Sequence, residues 1–198
     1  MNRLAVMLGG YCAIAAIVVP AFVRPTPRFV WNASASVPVG LYRAQPAHGV
    51  RPGDLVAALP PDATARLMAA RGYLPLGLPM LKHVGAVSGQ RVCRAGARIS
   101  IDGRPVAEAR TLDHARRLLP VWSGCRTLRA DEVFLVNPAS ADSFDGRYFG
   151  PVPVRSITLV LTPFWLPGGA GNAPEAAPGR AQSSTRHARK EHPNDQNW

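Results

Sequence analysis

The chain has 198 residues, enough for one moderate domain with appendages, and is strongly basic, with a formal net charge of +11. That charge suits anionic lipid head groups; without zinc-ligand spacing, an RNP-like aromatic run or a basic helix, it argues against a nucleic-acid partner. Hydrophobic residues make up 47%, aromatics only 7%, and there are 20 prolines, a mixture that favours short strands and turns over long helices.

Residues 4–23 carry no charge. At about 1.5 Å rise per residue, twenty apolar residues cover the ~30 Å hydrocarbon core, so a single transmembrane helix is predicted here. Arg3 lies before it and Arg24 and Arg28 after it, so charge bias alone leaves its orientation ambiguous. Ala33-Ser34-Ala35 has the small-x-small look of a leader cleavage site, but it lies about ten residues beyond the apolar run, too far for one. We therefore read an uncleaved anchor, with the remainder of the chain outside the cytoplasm. Residues 1–28 form anchor and tether, 29–167 a folded domain, and 168–198 a Gly/Pro/Ala-rich basic tail predicted to be disordered.

Within the domain, Phe29-Val30-Trp31 is a candidate strand or interfacial aromatic anchor. A turn at residues 50–54 leads into a strand at 55–59. The best soluble helix follows at 63–71, with Asp62 as expected N-cap. Residues 80–87 read as a strand that carries Lys82. Asp102-Gly103 signals a hairpin after a strand at 98–101. A short helix is expected at 113–118, a strand at 131–137, a loop at 140–151 and a last strand at 156–161. The fold class is mainly β, with one or two short helices.

Of the three cysteines, Cys12 lies in the apolar run, leaving Cys93 and Cys125 in the domain. Their spacing fits one disulfide or two unrelated thiols, and an extracytoplasmic topology favours the disulfide. No residues stand at metal-ligand spacing, and no cofactor is implied.

Two further residues carry chemistry. Arginine dominates the basic residues, and only Lys82 and Lys190 are lysines. Arginine cannot act as a base at neutral pH, which makes the single lysine of the domain conspicuous. Met80, Lys82 and Val84 share one face of an alternating strand, so Lys82 should be buried or lie at a cleft, where desolvation lowers a lysine's pKa toward working pH. A serine needs such a base to become a nucleophile. His48, His83 and His114 offer a Ser–His alternative, but no G-x-S-x-G elbow occurs.

Three blocks, in order, give the chain a family resemblance from about residue 32 to 165. These are Ser34-Ala35-Ser36-Val37-Pro38-Val39-Gly40-Leu41-Tyr42; Gly53-Asp54-Leu55-Val56 followed by Leu81-Lys82-His83-Val84 and Ser88-Gly89-Gln90; and Asp142-Ser143-Phe144-Asp145-Gly146-Arg147-Tyr148-Phe149-Gly150-Pro151-Val152-Pro153. The chain resembles the signal-peptidase family of Ser–Lys proteases (peptidase S26), and within it the TraF-type peptidases of conjugative transfer. His83 and Gln90 depart from the Arg and Asp of ordinary leader peptidases and favour the TraF-type branch over a housekeeping signal peptidase. The resemblance implies a catalytic domain of coiled β-sheets, with Ser36 as nucleophile and Lys82 as general base. It gives Ser34 a place in the oxyanion site, has Ser143 orient Lys82, and makes Asp145 and Arg147 a structural ion pair. Asp142 is a second acidic candidate, and Gly146 stands where the family usually has Ser. It further implies a single-pass protein of the bacterial inner membrane, with its domain and its Cys93–Cys125 pair in the periplasm. Its expected partners are a membrane-inserted pre-pilin or other preprotein, membrane lipid and the transfer apparatus. The rival from another class is a non-catalytic envelope subunit.

Overall fold

The computed structural model describes residues 2–22 and 27–167; the tail expected at 168–198 lies outside the described residues. The first element, α1 (Arg3–Phe22), is a helix of 20 residues that leaves Leu4, Met7, Tyr11, Ile14 and Ile17 exposed on several faces. Among the described residues no helix is long and apolar enough to cross a membrane. The segment expected to span is thus a helix, without being an established crossing.

From residue 29 onward the chain is mainly β. Strands β1 (Phe29–Asn32), β2 (Gly40–Pro46), β3 (Leu55–Ala58) and β4 (Met80–Ala86) come first, with helix α2 (Asp62–Ala70) between the last two. Strands β5 (Arg91–Ala95), β6 (Arg98–Ile101), β7 (Arg104–Glu108) and β8 (Gly124–Thr127) form a separate antiparallel sheet in the order β7-β6-β5-β8. The chain then returns through β9 (Glu132–Val136), α3 (Gly146–Phe149), β10 (Val152–Pro153) and β11 (Ile157–Trp165). The first sheet has the order β1-β2-β11-β3-β4-β9-β10, so the last strand of the chain lies near its middle.

Alternation explains why β3 is buried at every residue. In β3, Val56 and Ala58 pack with Met68 of α2, Met80, Val84 and Leu135 on one face. Leu55 and Ala57 pack with Val37, Tyr42, Leu81 and Leu159 on the other. A sheet covered on both sides has no polar face, and its strands read as continuous apolar runs. Val92, Ile99, Ile101, Phe134 and Val136 join the two sheets in a third cluster.

The Asp102-Gly103 turn has positive φ at both residues, 50° and 80°, as a two-residue hairpin of this sequence requires. Three expectations are corrected. Asp62 is not the N-cap of α2: Pro61 holds that position without a side-chain cap, and Asp62 is the first helical residue, where its charge still complements the helix dipole. Residues 113–118 are not helical. Leu112 and Leu118 form an isolated antiparallel bridge, and the Asp113 carboxylate accepts from the Arg117 N–H and Nε–H, so side-chain bonds close a turn in competition with the helix. The loop expected at 140–151 contains α3, because the Asp145 side chain accepts from the Arg147 N–H and caps one helical turn.

Candidate active site

Asn32, buried at the end of β1, shapes the segment after it. Its Nδ2 donates to the carbonyls of Ser34, Val37 and Pro38 at 2.8–3.0 Å. Its Oδ1 accepts from the Ser34 N–H at 3.0 Å and the Ser34 hydroxyl at 2.8 Å. Tyr42 Oη donates to the same Pro38 carbonyl at 2.6 Å. Residues 33–39 are thus wound around one asparagine amide, a side chain that mimics a backbone turn. Ser34 Oγ and Ser36 Oγ lie 3.1 Å apart. A hydroxyl has one proton to give; Ser34 gives its own to Asn32, so Ser36 is the donor to Ser34.

Lys82 sits on β4 between Met80 and Val84 and opposite Val56 of β3. It is only 4% exposed. Burial lowers its pKa from 10.5 to about 8; the Asp145 charge works against the shift and the Arg147 charge adds to it. Its Nζ donates to Ser143 Oγ at 2.7 Å. Among the described residues no hydrogen bond joins Lys82 to Ser36. Both side chains line one cleft of about 580 Å³, together with Ser34, Trp31, Ser143 and Tyr148.

The loop that presents Ser143 is held by a buried ion pair. Asp145 (0% exposed) and Arg147 (1%) form a bidentate pair, with both N···O distances 2.9 Å. The Arg147 guanidinium also donates to the carbonyls of Ser140 at 2.7 Å, Ser143 at 2.8 Å and Glu108 at 3.2 Å. Gly146 lies between the pair, where an added Cβ would come within 2.6 Å of Leu135 O and Phe134 Cε2. No side chain fits there, which accounts for glycine in place of the family's Ser. Asp142 stands apart from this network: it pairs with Arg110 and lies 3.5 Å from His114 Nε2, with both partners more than half exposed. The His83 ring contacts Asn137 Oδ1 at 3.1 Å, and neither His83 nor His114 bonds Ser36.

Asn137 escaped notice in the sequence, where it merely ends an apolar strand. Its side chain is 2% exposed and bridges the two halves of the site. Nδ2 donates to Ser36 O at 2.9 Å and Leu81 O at 3.2 Å, and Oδ1 accepts from the His83 N–H at 2.9 Å. Its backbone N–H donates to Asp145 Oδ2 at 3.0 Å. Cys93 and Cys125 are disulfide-bonded across paired positions of β5 and β8. The next residue, Arg94, donates to the carbonyl of Arg147 and so ties the second sheet to the ion pair. Cys12 is a free thiol.

The sequence profile of the family "Signal peptidase, peptidase S26" matches residues 1–165. A probable conjugal transfer protein TraF of Sinorhizobium fredii is 40% identical over 138 residues, 64% of this chain and 71% of that one. A plasmid transfer protein TraF of Escherichia coli is 36% identical over 142 residues (67% and 79%), and a conjugal transfer protein TraF of Agrobacterium fabrum is 38% identical over 143 (67% and 79%). Among solved structures, a signal peptidase I from Enterococcus faecalis is similar at a TM-score of 0.36 and 19% identity, covering 58% of this chain and 98% of that one. The profile match runs over most of the chain and takes in both the serine turn and the lysine strand. With TraF relatives at 36–40% identity, the chain belongs to the signal peptidase family, peptidase S26, and is of its TraF type.

Proposed function

We propose that this protein is a membrane-anchored serine endopeptidase that processes a pilin precursor, or another membrane-inserted preprotein, for conjugal transfer. The observation that carries this reading is Lys82: a lysine buried to 4% exposure, with its pKa lowered to about 8, opens on the same cleft as Ser36. Neutral Lys82 Nζ takes the Ser36 proton as Oγ attacks the scissile carbonyl. The oxyanion is held by the Ser36 N–H and the Ser34 hydroxyl. Lys82 returns the proton to the leaving amine, and the C–N bond breaks to leave an ester on Ser36. Water, or the substrate's own N-terminal amine, resolves that ester, the second route joining the ends of the product.

In the free protein the Ser36 proton points to Ser34 and the Lys82 ammonium to Ser143. Substrate entry therefore accompanies a turn of the Ser34 and Ser36 hydroxyls and of the Lys82 amine, in keeping with catalytic hydrogen bonds that tighten only in the complex. Ser143 orients Lys82, and the Asp145–Arg147 pair fixes Ser143.

The anchor is α1, in the bacterial inner membrane, with the domain in the periplasm. An uncharged run at 4–23 supports it. So do two exposed aromatic pairs between β1 and the end of β11, Phe29 with Phe164 and Trp31 with Trp165, since such rings favour the lipid interface. The disulfide suits an oxidising compartment, and the transfer apparatus is the expected neighbour.

The test is co-expression of a TraF-system pilin precursor with the wild type, Ser36→Ala and Lys82→Ala, followed by product masses. Loss of processing in both folded, membrane-bound variants is expected. A product one water lighter than the linear fragment identifies cyclisation. Unchanged processing in both would leave the non-catalytic envelope subunit.

A further inference from the structure

We infer that Asn137 is a positioning residue that sets the spacing between Ser36 and Lys82, an inference resting on the Ser–Lys reading above. Its amide has one consistent orientation, because two of its partners are carbonyls, which need the NH2, and one is a backbone N–H, which needs the oxygen. The Leu81 carbonyl and His83 N–H flank Lys82 and point to the side of β4 away from β3. There β9 pairs with β4 as far as the His83–Val136 step. Asn137 follows immediately, and its side chain takes both groups, extending the ladder by one step past the end of the strand.

The remaining N–H of the amide then reaches across to the carbonyl of Ser36 itself. One side chain thus holds the base's strand and the nucleophile's backbone together, while its main-chain N–H holds Asp145. Asn137 touches neither reacting atom, so its action is on geometry. A site whose reacting groups must align is sensitive to such supports: a displacement of 1 Å can lower a rate about 100-fold.

The test avoids the substrate altogether. In a Cys12→Ala background, the full chain carrying Ser36→Cys is alkylated with iodoacetamide across a pH series, with and without Asn137→Ala. Asn137→Ser, which keeps a hydroxyl and leaves room for a water, serves if Asn137→Ala does not fold, and the thermal unfolding of each is recorded. A thiol beside a lysine ammonium titrates below the ordinary ~8.5. We expect the new thiol to do so with Asn137 present and to return to the ordinary range without it, slowing alkylation at neutral pH about tenfold. If the thiol titrates equally low in all variants, the role of Asn137 is overturned and the Ser–Lys pair stands. If it titrates at the ordinary value even with Asn137 present, the pair itself is refuted, and this inference with it.

Discussion

Replacing Lys82 by Met should stabilise the protein below about pH 8 and destabilise it slightly above about pH 10. The folded-state pKa of Lys82 is about 8, against an ordinary 10.5. Because the folded value is the lower one, the unfolded chain binds the extra proton between those pH values, and wild-type stability rises with pH across that window. Below it both states are protonated and the full penalty of the buried charge applies. Two to three pKa units correspond to about 3 kcal/mol. Methionine, similar in length and uncharged, removes that penalty but also the bond to Ser143, which contributes about 1 kcal/mol. The net expectation is about 2 kcal/mol of added stability near pH 6 to 7, a rise in Tm of roughly 5 °C for a domain of this size, shrinking to nothing and reversing by about pH 10. Thermal unfolding of the full chain in detergent micelles, wild type against Lys82→Met across this pH range, measures it. A difference that is constant with pH, or a Met variant less stable at pH 6, would refute the burial argument.

In the proposed mechanism neutral Lys82 is the working form, so processing should rise about tenfold per pH unit below pH 8 and level off above it; Lys82→Arg should be inactive throughout, and a precursor-cleavage assay across pH checks both. Arg147→Met should strip Asp145 of its buried partner and cost about 3–5 kcal/mol, seen as a lower urea midpoint than that of an exposed control such as Arg98→Met. Gly146→Ala, with its Cβ driven against Leu135 O, should lose about 1–3 kcal/mol by overpacking; unchanged Tm would show that the backbone yields there. Changing Cys93 and Cys125 to Ser opens a loop of 32 residues and should lower stability by about 3–4 kcal/mol, measured against wild type without reductant.

Much of the fold was legible because its signals are local. The alternation around Lys82 and the Asp-Gly hairpin each announce themselves within a few residues. Part of what escaped was set by partners distant in sequence. Asn137 gains its importance from Ser36, 101 residues away, and nothing in Val-Asn-Pro singles it out. The supposed helix at 113–118 lost to a turn closed by Asp113 and Arg117, a competition that periodicity does not reveal. The Ser and Lys blocks were recognisable by type and order. The bond from Lys82 to Ser143 is the one the resemblance implied, whereas the pairing of Ser36 with Ser34 was not legible, because it depends on how Asn32 winds the segment between them.

The place of β11 in the sheet bears on when the two halves of the candidate site come together. The serine turn follows β1 and leads into β2; the lysine is on β4, which pairs with β3. Between these two hairpin-like halves lies β11, bonded to β2 on one side and β3 on the other. A chain without residues 157–165 therefore carries Ser36 and Lys82 on separate pieces of sheet with no strand to bridge them. On the proposed Ser–Lys reading, the two halves of the site share one continuous sheet only once residues 157–165 have joined it.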